Sequence, residues 1–447
     1  MLIEFSVSNY RSIGDKLTLS LTSAPKQKEF EGNIIQMGNF SALNACALYG
    51  ANASGKSNII RAMSLMGALV HKSSNMPSTA KLPYDPFLLK RGYGENPTMM
   101  EIVFVANDKR YRYGFTYNKD VVLREWLYRK TVGREVALFL RDGEIIDVRA
   151  GLVGRKNLVD TAIDSTGENA LFLSKCDAFN IEDAKIVMNW FDSFVIINGL
   201  YTEPHESQTV ELWKQDGFQE KINAFLSKLS LGVQGIKIST KSFDENDLPQ
   251  NITAEMRNSL ISRFRGTESY NISAMHKVYS DNESDDAEII TWDFDKHESE
   301  GSKKTLHITG PILWTLTKGG VLVIDEIEAK LHPIMTLNAI DMFLDKNCNP
   351  KNAQLLFATH DTNLLSYSQL RRDQILFCEK NNWESTELYA LSDFVYFNER
   401  NGKIVEEKER KDSDKERRYM EGRYGAIPML GKFKESVAEM LWHAKEN

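Results

Sequence analysis

Residues 47–63 read ALYGANASGKSNIIRAM, and the fold turns on this stretch. Four residues separate Gly50 from Gly55, and Lys56 and Ser57 follow at once. That spacing is the phosphate-loop pattern. A triphosphate needs a concave ring of backbone N–H donors, and glycine lets the chain bend that tightly without a Cβ clash. The amides from Gly50 through Asn52 to Gly55 would form the ring. Lys56 would reach the β- and γ-phosphates, and Ser57 would offer its hydroxyl oxygen to Mg²⁺. The flanks agree. LNACALY is an apolar run that reads as a buried strand, and Ile59, Ile60, Met63, Met66 and Val70 recur at helical spacing. The phosphates would then rest on a helix N-terminus.

Three further stretches complete a site. GGVLVIDE, residues 319–326, is an apolar strand ending in two acids. Asp325 would help hold Mg²⁺. Glu326 would take the proton of an attacking water. LLFATHD ends another apolar strand in His360, one helix and one strand further along the chain, where it could sense a γ-phosphate. ESEGSKKTL, residues 298–306, places Ser299 and Gly301 before a helix with Lys303 and Lys304 in its first turn. This is a second phosphate-sized helix start. One sheet does not readily aim two such ends at one nucleotide, so this one is expected to face the nucleotide of a second subunit.

The composition sets limits. The chain has 447 residues, 42% hydrophobic and 26% charged, which suits a globular protein of two or three structural units. A net charge of −7 does not advertise nucleic-acid binding. Cys46, Cys176, Cys348 and Cys378 show no CxxC spacing, and they are expected to be reduced, buried thiols in a cytoplasmic protein. The N-terminus lacks the pattern of a signal peptide, and no 18-residue apolar run offers a membrane span.

Along the chain, IEFSVSNY and KLTLSLTS read as two strands around an RSIGD turn, and residues 100–130 read as antiparallel strands that 134–150 continue. Residues 163–179, 181–197 and 217–232 are expected to be helical. Residues 240–300 are polar, with SDNESDDAE as a mobile acidic loop. The buried strands ending in Asp325 and His360 argue for a parallel sheet. The expected division is 1–150, an N-terminal lobe with the loop and an antiparallel β-subdomain; 151–295, a mostly helical insertion; and 296–447, a C-terminal lobe.

Taken in order, the phosphate loop, SEGS, VLVIDE and THD resemble the Walker A, signature, Walker B and switch histidine of an ABC-type ATPase head of the SMC/RecF/OLD kind. Asn58 after GKS and the early NYRSI add to the likeness. By this resemblance Arg11 and Asn58 lie near the nucleotide, and Glu328, Leu331 and His332 in EIEAKLHP form a D-loop at a dimer interface. PYDPFLL, DEIEAKLHP, RRDQILFCEK, LYALSDF and EGRYGAIP resemble, more narrowly, bacterial anti-phage ATPases such as those of the AbiL and PARIS systems. The likeness covers most of the chain outside about 230–290. Two departures stand out: the YDPFLLKRG region has no Q-loop glutamine, and SEGSKK lacks the leading leucine and second glycine of transporter signatures.

The resemblance implies an α/β fold. Its core is an ABC-type ATPase head: a phosphate-loop parallel sheet plus an N-terminal antiparallel β-subdomain, with a short inserted helical region. It implies ATP and Mg²⁺ as cofactors, slow or fast hydrolysis, and a homodimer or higher homo-oligomer through composite ATP sites. The expected role is sensor or regulator of an anti-phage complex. Its partners would be a separate TOPRIM- or RloB-like nuclease effector and a phage-encoded trigger, with no membrane. A RecF- or SMC-like repair ATPase that clamps DNA directly is the alternative, and direct nucleic-acid contact is left open. The acids Asp412 and Asp414 lie in a mixed-charge run, not in a nuclease-like carboxylate cluster.

Overall fold

The run Ala45–Tyr49 is a fully buried strand, as its uninterrupted apolar sequence predicts. It lies inside a six-stranded sheet. The order is Phe194–Asn198, Val321–Asp325, Gln354–Ala358, Ala45–Tyr49, Ile375–Lys380 and Thr386–Ala390. All neighbours are parallel except the last pair, a hairpin. The structure is a computed structural model. It describes residues 1–447 except 26, 230–231, 246–247, 249–251, 265–267, 280–287, 401–402, 409–412, 429–436 and 438–447. The expected acidic loop, apart from Glu288, lies outside the described residues, as does Asp412.

A second sheet has seven antiparallel strands. Its order is Ile145–Val148, Val136–Asp142, Val122–Lys130, Lys109–Tyr117, Thr98–Ala106, Leu2–Ser8 and Leu17–Ser20. Both sheets share one core, in which Phe104 stacks on Trp190 at 4.1 Å and Tyr111, Tyr113, Phe115 and Phe191 pack nearby. Gln354 ties the sheets together with polar bonds. Its amide donates to the carbonyls of Leu2 (3.0 Å) and Leu43 (2.8 Å), and its oxygen accepts from the Leu2 amide. The fold is thus α/β, as expected: a mostly parallel sheet that carries the loop strand beside an N-terminal antiparallel subdomain.

The chain divides into two compact units. One comprises residues 1–199, 315–329 and 336–447; the other comprises 200–314 and 330–335. The boundaries expected at 150 and 296 fall elsewhere, because residues 151–199 bury Val159, Phe172, Val187 and Phe191 in the first unit's core. Two local readings also change. Residues 163–179 are not one helix but parts of two, Lys156–Asp164 and Phe172–Ala178. Buried Glu125 starts the second by accepting the amides of Phe172 (2.6 Å) and Leu173 (2.9 Å). The helix at Glu182–Asp192 stops short, and Phe194–Asn198 becomes an edge strand of the parallel sheet. Its run FVIIN favours a strand once a neighbour is there to pair with it.

The second unit holds more than helices. Gly235–Ser242, Glu268–Lys277 and Ile289–Asp293 form an antiparallel sheet, so the polar stretch after 235 differs from the helical expectation. Val210, Ile222, Leu226, Ile236, Ile272 and Leu306 form its core. The helix Glu300–Lys318 survives an internal Pro311. Proline has no N–H for the carbonyl of His307. The Thr209 hydroxyl lies 3.3 Å from that carbonyl, 2.9 Å from the Leu306 carbonyl, and accepts the Gly310 amide at 2.9 Å.

Cys46, Cys176 and Cys378 are buried free thiols, as expected, while Cys348 is exposed. It sits in the polar turn after Leu344, beside Asp345. Among the described residues no helix is long and apolar enough to cross a membrane.

Candidate functional site

The loop strand ends at Tyr49 and the loop helix runs Lys56–Lys72. Between them the backbone takes positive φ at Gly50 (152°), Ala53 (63°) and Gly55 (111°). Both glycines are required by space as well. A Cβ on Gly50 would lie 2.4 Å from the Cys378 carbonyl oxygen, and one on Gly55 would lie 2.0 Å from Thr386 Oγ1. The loop is braced from the hairpin side. The Thr386 hydroxyl donates to the Ser54 carbonyl at 2.9 Å and lies 2.9 Å from the Ser12 hydroxyl, which accepts the Asn58 amide at 2.7 Å. Asn58 therefore anchors the N-terminal turn to the loop helix. Arg11, in that turn, pairs with Asp85 at 2.8 Å.

Lys56 is only 5% exposed, and its ammonium donates to the loop's own carbonyls, Gly50 (2.7 Å) and Ala51 (3.2 Å). Burial pushes its pKa down, while Cys378, Asp325, Glu326 and Glu328 pull it back up. The ammonium is held in the loop, close to these acids. Ser57, half-buried, opens the helix beside it, and Asn52 is exposed on the loop.

The acids come from the strand Val321–Asp325, two places from the loop strand, with the Gln354–Ala358 strand between them. All three run parallel, so Tyr49, Asp325 and Ala358 end on one edge. In such sheets ligands bind outside the carboxyl ends of the strands. Thr359 and His360 follow at once on the middle strand. The His360 imidazole is pushed toward its neutral form by burial and by Lys56, against the pull of Glu328 and Asp325.

Immediately after Asp325 the chain turns through a positive φ of 55° at Glu326. A non-glycine residue there stores strain that its surroundings must hold. Gly199, which ends the edge strand, does so. Its amide donates to the Asp325 carbonyl at 2.6 Å, and a Cβ on it would lie 2.2 Å from the Glu326 carbonyl oxygen. The sequence reading missed Gly199 because its strand read as helix; the signal was the glycine closing FVIING. Gly199→Ala is expected to destabilise the protein by about 1–3 kcal/mol through overpacking, measured by denaturant unfolding. Unchanged stability would show that the turn tolerates a shift.

Glu328 is the other residue that the sequence reading did not place at the nucleotide. The resemblance put it at a dimer interface. Within the subunit, one carboxylate oxygen accepts the backbone amide of His360 at 2.7 Å. Its other oxygen is buried and has no hydrogen-bond partner, and the same holds for Asp325 Oδ1 and the Ser54 hydroxyl. Unpartnered buried oxygens on acids are costly unless a cation or a donor meets them. Among the described residues no group of three His, Cys, Asp or Glu is arranged to hold a metal. An ion that takes a hydroxyl, a carboxylate, phosphate oxygens and water needs no such group, and Mg²⁺ binds that way. Ser57 and Asp325 fit it.

Ser299 and Gly301 belong to the second unit. Exposed Ser299 caps the helix Glu300–Lys318 by accepting the Ser302 amide at 3.1 Å. Its approach is fixed by half-buried Glu298, which lies 2.8 Å from His276 Nε2 and accepts the Trp292 indole N–H at 2.9 Å. Exposed Glu300 pairs with Lys303 (3.2 Å) and Lys330 (3.0 Å). Lys304 turns inward and is 2% exposed, so of the two lysines only Lys303 stays near the surface. Leu331 and His332 also lie in this unit. In the mixed-charge run, Asp414 caps the helix Lys415–Met420 by accepting the Arg417 amide at 3.0 Å.

A family described as "AAA domain, putative AbiEii toxin, Type IV TA system" matches residues 46–150 and 191–366, more than half of the chain. No curated protein matches. One similar solved structure is that of the recombination mediator protein RecF-ATP in the RecFOR pathway. It is 12% identical, covers 80% of this chain and 93% of that chain, and has a TM-score of 0.33. A structure of RecF-ATPrS from the same pathway is 12% identical, covers 87% and 98%, and has a TM-score of 0.31.

Proposed function

This chain belongs to that AAA-domain family of phosphate-loop ATPases, and on that premise we propose that it binds and hydrolyses ATP with Mg²⁺, in composite sites shared between subunits. The supporting observation is the convergence of Lys56, Asp325, Glu326, Glu328 and His360 at one edge of the parallel sheet, within one unit. On this reading Lys56 leaves the carbonyls of Gly50 and Ala51 for the phosphates, and the loop amides bind the rest. Ser57 and Asp325 hold Mg²⁺, which supplies charge neutralisation to the phosphates. Glu326 accepts the proton of the attacking water, and His360 lies at the γ-phosphate. Arg11, Asn52 and Asn58 line the nucleotide's flank.

Ser299 and Gly301 complete the site of a second subunit. The wider role is sensor or regulator of an anti-phage complex, in which ATP-driven assembly controls a separate TOPRIM- or RloB-like nuclease and a phage-encoded component is the trigger. The family's description, which names a toxin of a toxin–antitoxin system, supports a setting with a second protein. The net charge of −7 disfavours a DNA clamp as the main activity.

The test is a mixing experiment. Lys56→Ala removes charge-assisted bonds to the phosphates and is expected to weaken ATP binding by at least about tenfold. Ser299→Arg should bind ATP normally as an isolated subunit but fail to assemble or turn over. Mixed together, the two variants should regain part of the activity, because one composite site then carries both intact halves. No rescue despite demonstrated subunit exchange would refute the shared site, and unchanged ATP binding by Lys56→Ala would refute the phosphate loop itself.

A further inference from the structure

Glu328 stands between the two strand ends on which the proposed reaction depends. It lies one turn past Asp325, yet its Oε1 reaches across to accept the backbone amide of His360 at 2.7 Å. The peptide before it is held to the same neighbouring strand, since the Ile327 amide donates to the Ala358 carbonyl at 3.2 Å. The carboxylate is therefore fixed at both ends of a short bridge between the strand of Asp325 and the strand of His360.

Its second oxygen is buried without a partner, and so is Oδ1 of Asp325, a residue only 8% exposed. Both acids act on the same two cations or potential cations, Lys56 and His360. Two buried carboxylate oxygens without donors, on acids that both act on Lys56, call for positive charge or a strongly polarised O–H.

Resting on the ATP–Mg²⁺ reading above, we infer that Glu328 is a positioning residue for the metal. Its free oxygen accepts a hydrogen bond from a water of the ion that Asp325 and Ser57 hold, while its other oxygen locks His360 in register with that ion. Glu328 thereby ties the metal to the histidine at the γ-phosphate, so that neither is placed without the other. The recognised group is a hydrated divalent cation, not the nucleotide itself.

Glu328→Gln separates this role from a structural one. The amide keeps an oxygen for the His360 N–H but turns an N–H₂ donor toward the water, which can no longer donate to it. Mn²⁺ is titrated, by its electron paramagnetic resonance signal, into the full chain saturated with a non-hydrolysable ATP analogue. Glu328→Gln is expected to lower Mn²⁺ affinity about 10–100-fold, the usual cost of losing a group that supports a metal's ligands. Affinity for the analogue in EDTA should not change. Glu328→Ala, which also frees the His360 amide, should lose Mn²⁺ affinity to at least the same extent. Wild-type Mn²⁺ affinity in Glu328→Gln would overturn the inference. So would an equal loss of metal-free analogue binding, which would make Glu328 a support of the loop. Failure of the wild-type chain to bind the analogue at all would overturn the ATP reading first, and is told apart by that control.

Discussion

Glu326→Gln is expected to keep ATP bound and to lower its hydrolysis by about 10²–10⁴-fold, the usual worth of a positioned general base. The substitution preserves length and shape, so the turn at φ 55° and its contact with Gly199 should persist. Binding should persist as well, because Lys56 and the loop amides come from a different strand and helix. What is lost is the oxygen that takes a proton. Single-turnover hydrolysis and equilibrium ATP binding, measured on the same preparation, give the two quantities. Trapped ATP should also drive the chain into a dimer or larger assembly, visible by light scattering. Turnover at the wild-type rate would remove Glu326 from the role of base.

Arg371→Ala is expected to destabilise the first unit by about 3–5 kcal/mol, the cost of breaking a buried ion pair by removing one partner. Arg371 is fully buried. Its guanidinium makes a two-pronged contact with Asp373, at 2.9 and 2.8 Å, and donates to the Glu29 carbonyl at 2.6 Å. Removing it strands the Asp373 carboxylate, only 5% exposed, with the Ala24 amide as a remaining donor. The damage should reach the loop strand. Next along, Gln374 donates to the Ala45 carbonyl at 2.8 Å, and its oxygen accepts from Asn33 and from the Arg371 amide. The paired change Arg371→Met with Asp373→Leu removes both charges and should recover much of the loss. Denaturant unfolding of the two variants tests this. Equal destabilisation by both would mean that packing, not the stranded charge, sets the cost.

The sequence by itself determined the phosphate loop, the strands that lead into Asp325 and His360, and the antiparallel N-terminal sheet. Each is a local property: the GANASGKS turn demands its glycines, and VLVID and QLLFA have no polar face to turn to water. The ATPase family follows from those same residues. Tertiary structure decided the rest. FVIIN became a strand only because the Val321–Asp325 strand offers it a partner, and that pairing brings Gly199 under Glu326. Nothing local in EIEAKLHP shows that the turn after Asp325 swings the Glu328 carboxylate onto the His360 amide. Arg371 looks like a surface residue beside Arg372, and only the folded 27–29 segment supplies the carbonyl that buries it. The strained turn at Glu326 has no signature of its own in DEIE. Its geometry depends on Gly199 from another strand and on the Glu328 bridge to His360, and both partners lie far from it in the chain.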